Sequence, residues 1–260
     1  MIHKQLKEDF QYVEGLGYKV LGVFLQGSQN YGLEYEGSDI DTKCIVLPSF
    51  EDFCLNKKPV STTLILPSNE HIDLKDIRLM FECFKKQNVN FVEILFTKYN
   101  LINEAFKSLY QPMLDNAELI ARYNNYAFVN CMAGMSMEKY KALEHPYPTL
   151  VEKIQKYGYD PKQLHHILRM HEFTRRYISG ETYEACLKSE IPEYLIDVKR
   201  GCHSLVEARK IAKEKLDETI EMKNEYMNKT PLAINGEVEE LMNNVLINVL
   251  KKSFLMELEV

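Results

Sequence analysis

Between residues 26 and 41 the chain reads Gln26-Gly-Ser-Gln-Asn-Tyr-Gly-Leu-Glu-Tyr-Glu-Gly-Ser-Asp-Ile-Asp41. The apolar, β-branched run Lys19–Leu25 stops just before Gly27-Ser28, and a second run, Ile40–Leu47, begins at the paired aspartates. A glycine directly after a strand lets backbone N–H groups approach a phosphate, and the Ser28 hydroxyl adds one more donor. Asp39 and Asp41 stand two residues apart, so an extended chain turns both carboxylates to one face. Two like charges that close repel unless a cation lies between them. Hard oxygen ligands of this kind suit Mg²⁺, which takes one or two carboxylates plus substrate phosphates. Together these are the parts of a two-metal phosphoryl-transfer site. Alone, Gly-Ser is a common turn and Asp-x-Asp a common solvated loop. Their joint spacing on consecutive strands favours chemistry over coincidence.

The elements that must position these residues can be read from pattern. Helical periodicity over Lys4–Glu14 precedes the first strand, and Thr62–Leu66 with His71–Leu74 flanks Pro67-Ser68-Asn69 as a hairpin. Asp76–Lys86 follows as a helix with Ile77, Met80, Phe81 and Phe84 on one side. From about Leu101 almost everything reads helical. Asn116–Glu144 is long and periodic and is broken at His145-Pro146-Tyr147-Pro148. Asp160-Pro161 starts a helix as a cap followed by proline. Ser204 with Glu207 forms a capping box, and Gly236–Met256 supplies the last helix. The expected fold is α+β: a small mixed-sheet α/β head over residues 1–100, then a helical half over 101–260.

The motif G-S-x-x-x-G, followed after a short loop by S-D-x-D, is carried here by Gly27, Ser28, Gly32, Ser38, Asp39 and Asp41. It resembles the signature of the nucleotidyltransferases of the DNA polymerase β superfamily. The resemblance implies a third carboxylate flanked by apolar residues on a later strand, which Ile72-Asp73-Leu74 supplies in chain order. Of the neighbouring acids, Asp76 is read as the cap of the next helix and Glu70 as a turn residue. Three later segments are similar to a branch of stand-alone predicted nucleotidyltransferases of bacteria and phages with a helical C-terminal half. They are Asn88-Val-Asn-Phe-Val-Glu93-Ile-Leu-Phe, the stretch from Tyr157 through Lys162 and His166 to Arg169, and Tyr194 to Arg200-Gly201. One departure is local: Thr42-Lys43 follows the aspartates where that family has an apolar residue and often arginine.

The resemblance implies metal-dependent transfer of a nucleoside monophosphate from an NTP to an acceptor hydroxyl, with release of pyrophosphate. Asp39 and Asp41 are expected to hold two Mg²⁺ ions (Mn²⁺ being possible), with Asp73 on the ion that activates the acceptor. Gly27 and Ser28 are expected on the phosphates. The acceptor class stays open among an RNA or tRNA end, a protein and a small molecule. A catalytically silent nucleotide-binding sensor or regulatory module is the alternative.

On a helix from Pro161, Lys162, His166, Arg169, Phe173 and Arg176 share one stripe, with Leu164, Ile167, Leu168, His171 and Ile178 opposite. The apolar set reads as the buried face and the cationic set as presented outward. A solvated face is the ordinary explanation of such a stripe. With the resemblance it becomes an edge that binds the triphosphate or the acceptor, in which the helical half completes the active cleft. Lys199-Arg200 is a second basic candidate. Glu93, inside an apolar run, needs a polar partner and reads as structural.

Composition sets limits. The 260 residues are 45% hydrophobic and 27% charged, as in globular chains, and 32 basic against 38 acidic residues leave a net charge of −6. Bulk electrostatic coating of nucleic acid would need the opposite sign, so any such contact must be a local basic patch. The six cysteines form no C-x-x-C pair, and His165, His166, His171, Cys202 and His203 lack zinc spacing. No run approaches the ~18 apolar residues of a membrane span, so a reducing cytoplasm is the expected compartment.

Overall fold

The computed structural model describes residues 1–35, 38–67 and 70–259. In chain order, α1 (Ile2–Gly15), β1 (Lys19–Leu25) and the single turn α2 (Ser28–Tyr31) lead to β2 (Thr42–Leu47) and α3 (Phe50–Cys54). Next come β3 (Ser61–Ile65), β4 (His71–Asp76), α4 (Ile77–Lys85), α5 (Val89–Val92) and β5 (Asn100–Ile102). The remainder is helical: α6 (Lys107–Asp115), α7 (Ala117–Ala121), α8 (Asn125–Ala142), α9 (Val151–Tyr157), α10 (Pro161–Ile178), α11 (Tyr183–Leu187), α12 (Pro192–Lys199), α13 (Leu205–Lys229) and α14 (Gly236–Leu258). The class is α+β. Among the described residues no helix is long and apolar enough to cross a membrane.

Packing divides the chain into two units. One comprises Met1–Asn30, Gly37–Asn124 and Ile234–Val260; the other comprises Tyr31–Glu36 and Asn125–Ala233. The first unit therefore takes in α6, α7 and α14 as well as the sheet, whereas Tyr31–Glu36 of the expected first hundred residues groups with the other unit.

The first unit is built on a mixed sheet of order β3-β4-β2-β1-β5. β1 runs antiparallel to β2 and β5, β2 runs parallel to β4, and β3 closes the edge antiparallel to β4. This topology gathers three chain ends: the end of β1 and the starts of β2 and β4 lie along one edge. On one face Val20, Val23, Cys44, Val46, Ile72 and Leu74 form a core with Leu6 and Val13 of α1, which burial of apolar area drives. The helices α4 and α14 are in contact with each other, and α4 also touches β2 and β4. Strand β5 was not legible from pattern, being three residues long and only partly buried.

The second unit is organised around α10, which contacts α8, α11, α12 and α13. Asp160 caps it by accepting a hydrogen bond from the Lys162 N–H (3.1 Å). The Ser204–Glu207 capping box opens α13. The core here is aromatic: Phe128 stacks on Tyr177 with ring centroids 3.6 Å apart, and Phe173 meets Tyr183 edge-on. The helix is buried on more than one side, which corrects the expectation of an outward stripe. Leu164, Ile167 and Leu168 are buried as expected, but Phe173 and Arg176 are buried too. Four packed helices leave only a narrow exposed side along its C-terminal half, at Arg175. Arg176 is accommodated by ion-pairing Glu181 (2.7 Å) and donating to the Lys188 carbonyl.

Candidate active site

At the sheet edge, the end of β1 and the run into β2 are fastened to each other before any side chain is considered. The Gln26 N–H donates to the Asp41 carbonyl (3.0 Å), and the Gln26 side-chain amide donates to the Thr42 carbonyl (3.2 Å). Gly27 has φ of +85°, a region open to glycine at no steric cost. Its carbonyl accepts from the Asn30 N–H (2.9 Å), so Ser28 opens the turn α2 directly beside the start of β2. Asn30 locks this turn. Its amide donates to the Leu25 carbonyl (2.8 Å), and its side-chain oxygen accepts from the Thr97 hydroxyl (2.8 Å).

Asp39 is exposed, Ile40 is buried and Asp41 is partly exposed. That alternation is the one that turns both aspartates to the solvent side and Ile40 into the core. One Asp41 carboxylate oxygen accepts from the His71 backbone N–H (3.0 Å), and the His71 ring Nδ1 lies 3.1 Å from the same atom. Strand β4 thus reaches the site through its first residue.

Asp73 has a different partner from the other two. In the parallel register Lys43 stands opposite Asp73, and the Lys43 ammonium donates to Asp73 Oδ2 at 2.6 Å. The Lys43 side chain is 3% exposed against 22% for Asp73. Phe91 of α5 lies beneath this pair, with Lys43 Nζ 4.0 Å and Lys75 Nζ 4.6 Å from its ring centroid, a cation–π arrangement. Burial pushes the Lys43 ammonium below its ordinary value, and the Asp73 carboxylate opposes that shift. Asp76 caps α4 by accepting from the Arg78 N–H (2.8 Å) and also pairs with the Arg78 guanidinium. Glu70 sits just before β4, its carbonyl accepting from the Leu66 N–H.

On the opposite side of β2 from Lys43, Thr42 donates its hydroxyl to the buried Asp9 of α1 (2.6 Å), which also accepts from Gln5 (2.8 Å). Burial raises the Asp9 carboxyl above the usual carboxylate range. The start of β2, directly after Asp41, is therefore held from both faces, by Asp9 through Thr42 and by Asp73 through Lys43.

The fit to a divalent cation follows from these partners. Asp39 and Asp41 are hard oxygen donors on one side of the chain and fit Mg²⁺. Asp73 is already neutralised by an ammonium at hydrogen-bond distance. Among the described residues no three His, Cys, Asp or Glu side chains converge as a ligand set.

Lys162, His166 and Arg169 belong to the second unit. Lys162 is exposed, and His166 and Arg169 are half-buried. The Arg169 guanidinium lies flat over Tyr31, 3.3 Å from the ring centroid. Burial holds His166 well below its ordinary value, and His165, Arg169 and Lys162 push it the same way. His165 is buried and directs Nδ1 at the Leu195 carbonyl (2.9 Å). Burial lowers it to about 4, against the pull of that carbonyl. Lys199 and Arg200 both approach Tyr35, at 4.8 and 5.4 Å from its centroid. Glu93 is buried.

Pattern reading missed Gln26, Asn30, Thr97 and Asp9 as parts of the site. Asn30 has no signal in sequence beyond being an amide in a turn. Lys43 had one, since a lysine inside an apolar strand requires a counter-charge. No protein-family model and no curated protein matches the chain.

Proposed function

We propose that the first unit transfers a nucleoside monophosphate from an NTP to an acceptor hydroxyl, releasing pyrophosphate. The observation that carries this reading is the direct bonding of the Gly27-Ser28 turn to the aspartate run through Gln26 and Asp41. It puts backbone and hydroxyl donors for phosphate oxygens next to two carboxylates in the extended run that leads into β2, which starts at Thr42 rather than at Ile40.

In this reading Ser28 and the N–H groups of its turn orient the phosphates, and Asn30 keeps the turn from relaxing. Asp39 and Asp41 would hold Mg²⁺, which supplies charge neutralisation on the transferring phosphoryl group when bound. His71 fixes the orientation of the Asp41 carboxylate by two contacts to one oxygen. Catalysis of this kind is positioning plus electrostatic stabilisation rather than covalent chemistry by the protein.

The alternative, nucleotide binding without transfer, is favoured by one observation. Asp73 is engaged by Lys43 at 2.6 Å, so the third carboxylate that the transfer reading expects is held by a fixed ammonium. Incubating the protein with each α-labelled NTP, Mg²⁺ and total cellular RNA and protein distinguishes the two. Transfer predicts pyrophosphate release and label in one acceptor pool, lost by on the order of a hundredfold or more in Asp39→Ala and Asp41→Ala while circular dichroism stays unchanged. Metal-dependent NTP binding with no pyrophosphate in any arm would establish the binding module instead.

A further inference from the structure

The two late segments singled out by sequence, Tyr157 to Arg169 and Tyr194 to Gly201, meet in the second unit. There they line a cavity of about 280 Å³ together with Tyr35 and Lys153. We propose that this cavity is a binding site for single-stranded nucleic acid. It goes beyond the transfer reading and rests on it in one respect only, that the bound strand would be the acceptor.

Charge comes first. The lining carries four cations, Lys153, Lys162, Lys199 and Arg200, in a chain whose net charge is −6. Its one carboxylate, Asp160, is committed to the start of α10: one oxygen accepts from the Lys162 N–H (3.1 Å), the other from the Gln163 side-chain amide (2.9 Å). Such concentration against the overall sign is the local basic patch that nucleic-acid contact requires of an acidic protein. A larger cavity of about 580 Å³ between α10 and α13 is of mixed charge, with Glu218, Glu221 and Glu225 set against Arg175 and Lys229.

The aromatic residues decide what kind of anion. Tyr35 and Tyr157 stand among the cations, and the combination of ring faces with a cationic groove is how single strands are held without reading sequence. An acidic peptide would use the cations but not the rings. A nucleoside triphosphate brings Mg²⁺ with it and wants a carboxylate to share that ion, which Asp160 is too engaged to offer. A phosphodiester strand needs only cations and ring faces. The volume lies just below that of drug-sized pockets and admits about one nucleotide unit rather than a folded helix.

The cavity is also built, not incidental. Gly201 has φ of +85°, and a Cβ there would overlap the Tyr157 ring (2.9 Å from Cζ). The glycine after Lys199-Arg200 therefore allows these two cations to come down beside Tyr157. Tyr159 donates its hydroxyl to the His203 carbonyl (3.1 Å), and the Asp160 N–H donates to the Leu143 carbonyl (2.8 Å), so the turn between α9 and α10 is pinned on both sides.

The test is fluorescence anisotropy of a labelled single-stranded RNA of about 12 nucleotides, within the usual footprint of such sites, titrated with the full chain in the absence of NTP. Binding is expected to weaken at least tenfold in Lys199→Ala/Arg200→Ala and in Lys153→Glu, each checked for an unchanged unfolding midpoint. The slope of log affinity against log salt should fall by about 1.4 in the double variant, at roughly 0.7 per lost phosphate contact on a single strand. Lys213→Ala, on the outside of α13 and paired with Asp217, should bind within twofold of the parent. ATP and polyglutamate at matched charge should displace the RNA poorly. No binding by the parent, equal binding by the pocket variants and Lys213→Ala, or equal displacement by ATP or polyglutamate would each overturn the proposal. Because no NTP is present, these outcomes are read separately from pyrophosphate release.

Discussion

Asp73 and Lys43 carry the sharpest consequences at the scale of single residues. A buried ion pair that loses one partner leaves an uncompensated charge, at a cost of about 3–5 kcal/mol. Lys43→Met should therefore destabilise the fold by an amount in that range, and Lys43→Met/Asp73→Asn should recover most of it in urea titrations. Asp73→Asn alone separates the two functional readings. Under transfer it should lower pyrophosphate release far beyond any loss of folded protein at the assay temperature. If its whole effect on turnover follows the fraction unfolded, Asp73 serves Lys43 and not the reaction. His165 gives a pH test. Its folded value near 4 lies below the unfolded value near 6.5, so the unfolded state binds more protons between them. Stability from this group is present above about 6.5 and is lost as pH falls toward 4, by about 2 kcal/mol at pH 5. His165→Asn keeps a donor for the Leu195 carbonyl and removes the titration. Comparing urea midpoints of parent and variant at pH 7 and pH 5 should show the variant losing less on acidification.

At the scale of elements, two glycines make opposite cases within one unit. Gly201 holds a left-handed conformation against the Tyr157 ring, so Gly201→Ala must meet both backbone strain, about 1–2 kcal/mol, and a ring that cannot give way without opening the cavity. Gly134, inside α8, would place a Cβ in open space, and alanine there should stabilise by about 0.5–1 kcal/mol. Thermal unfolding of the two variants should shift in opposite directions. A Gly201→Ala protein as stable as the parent would mean that Tyr157 is free to move, and with it the cationic lining. The caps show the other side of element formation. Asp76, Asp160 and Ser204 each bond the backbone within three residues of themselves, and each was visible as a cap from sequence for that reason.

Over the whole molecule, the return of α14 to the sheet-bearing unit makes this helix a structural part of the first unit. Lys19 of β1 bonds Ser253 and Glu257, Lys85 bonds Asn243, and Tyr123 donates its hydroxyl to Glu239. Met242 is fully buried. Met242→Ala should cost about 2–5 kcal/mol, and hydrogen exchange should show protection falling in α4, α6 and the sheet while α10 and α13 keep theirs. Equal loss in both sets of helices would mean that the two units unfold as one.

The sequence alone determined what depends on neighbours a few positions away. Strands β1 to β4, the capped starts of α4, α10 and α13, and the adjacency of Gly27-Ser28 to Asp39 and Asp41 all follow from side-chain period, turn residues and local hydrogen bonding. Tertiary structure decided the rest, because partners separated by tens or hundreds of residues are chosen by strand order and helix packing. The parallel register of β2 and β4 puts Lys43, not a second carboxylate, opposite Asp73. Four surrounding helices bury Phe173 and Arg176, which periodicity had assigned to an exposed face. Gly201, read only as the residue after two cations, turns out to be the place where the backbone meets Tyr157, since nothing local to either residue requires the other.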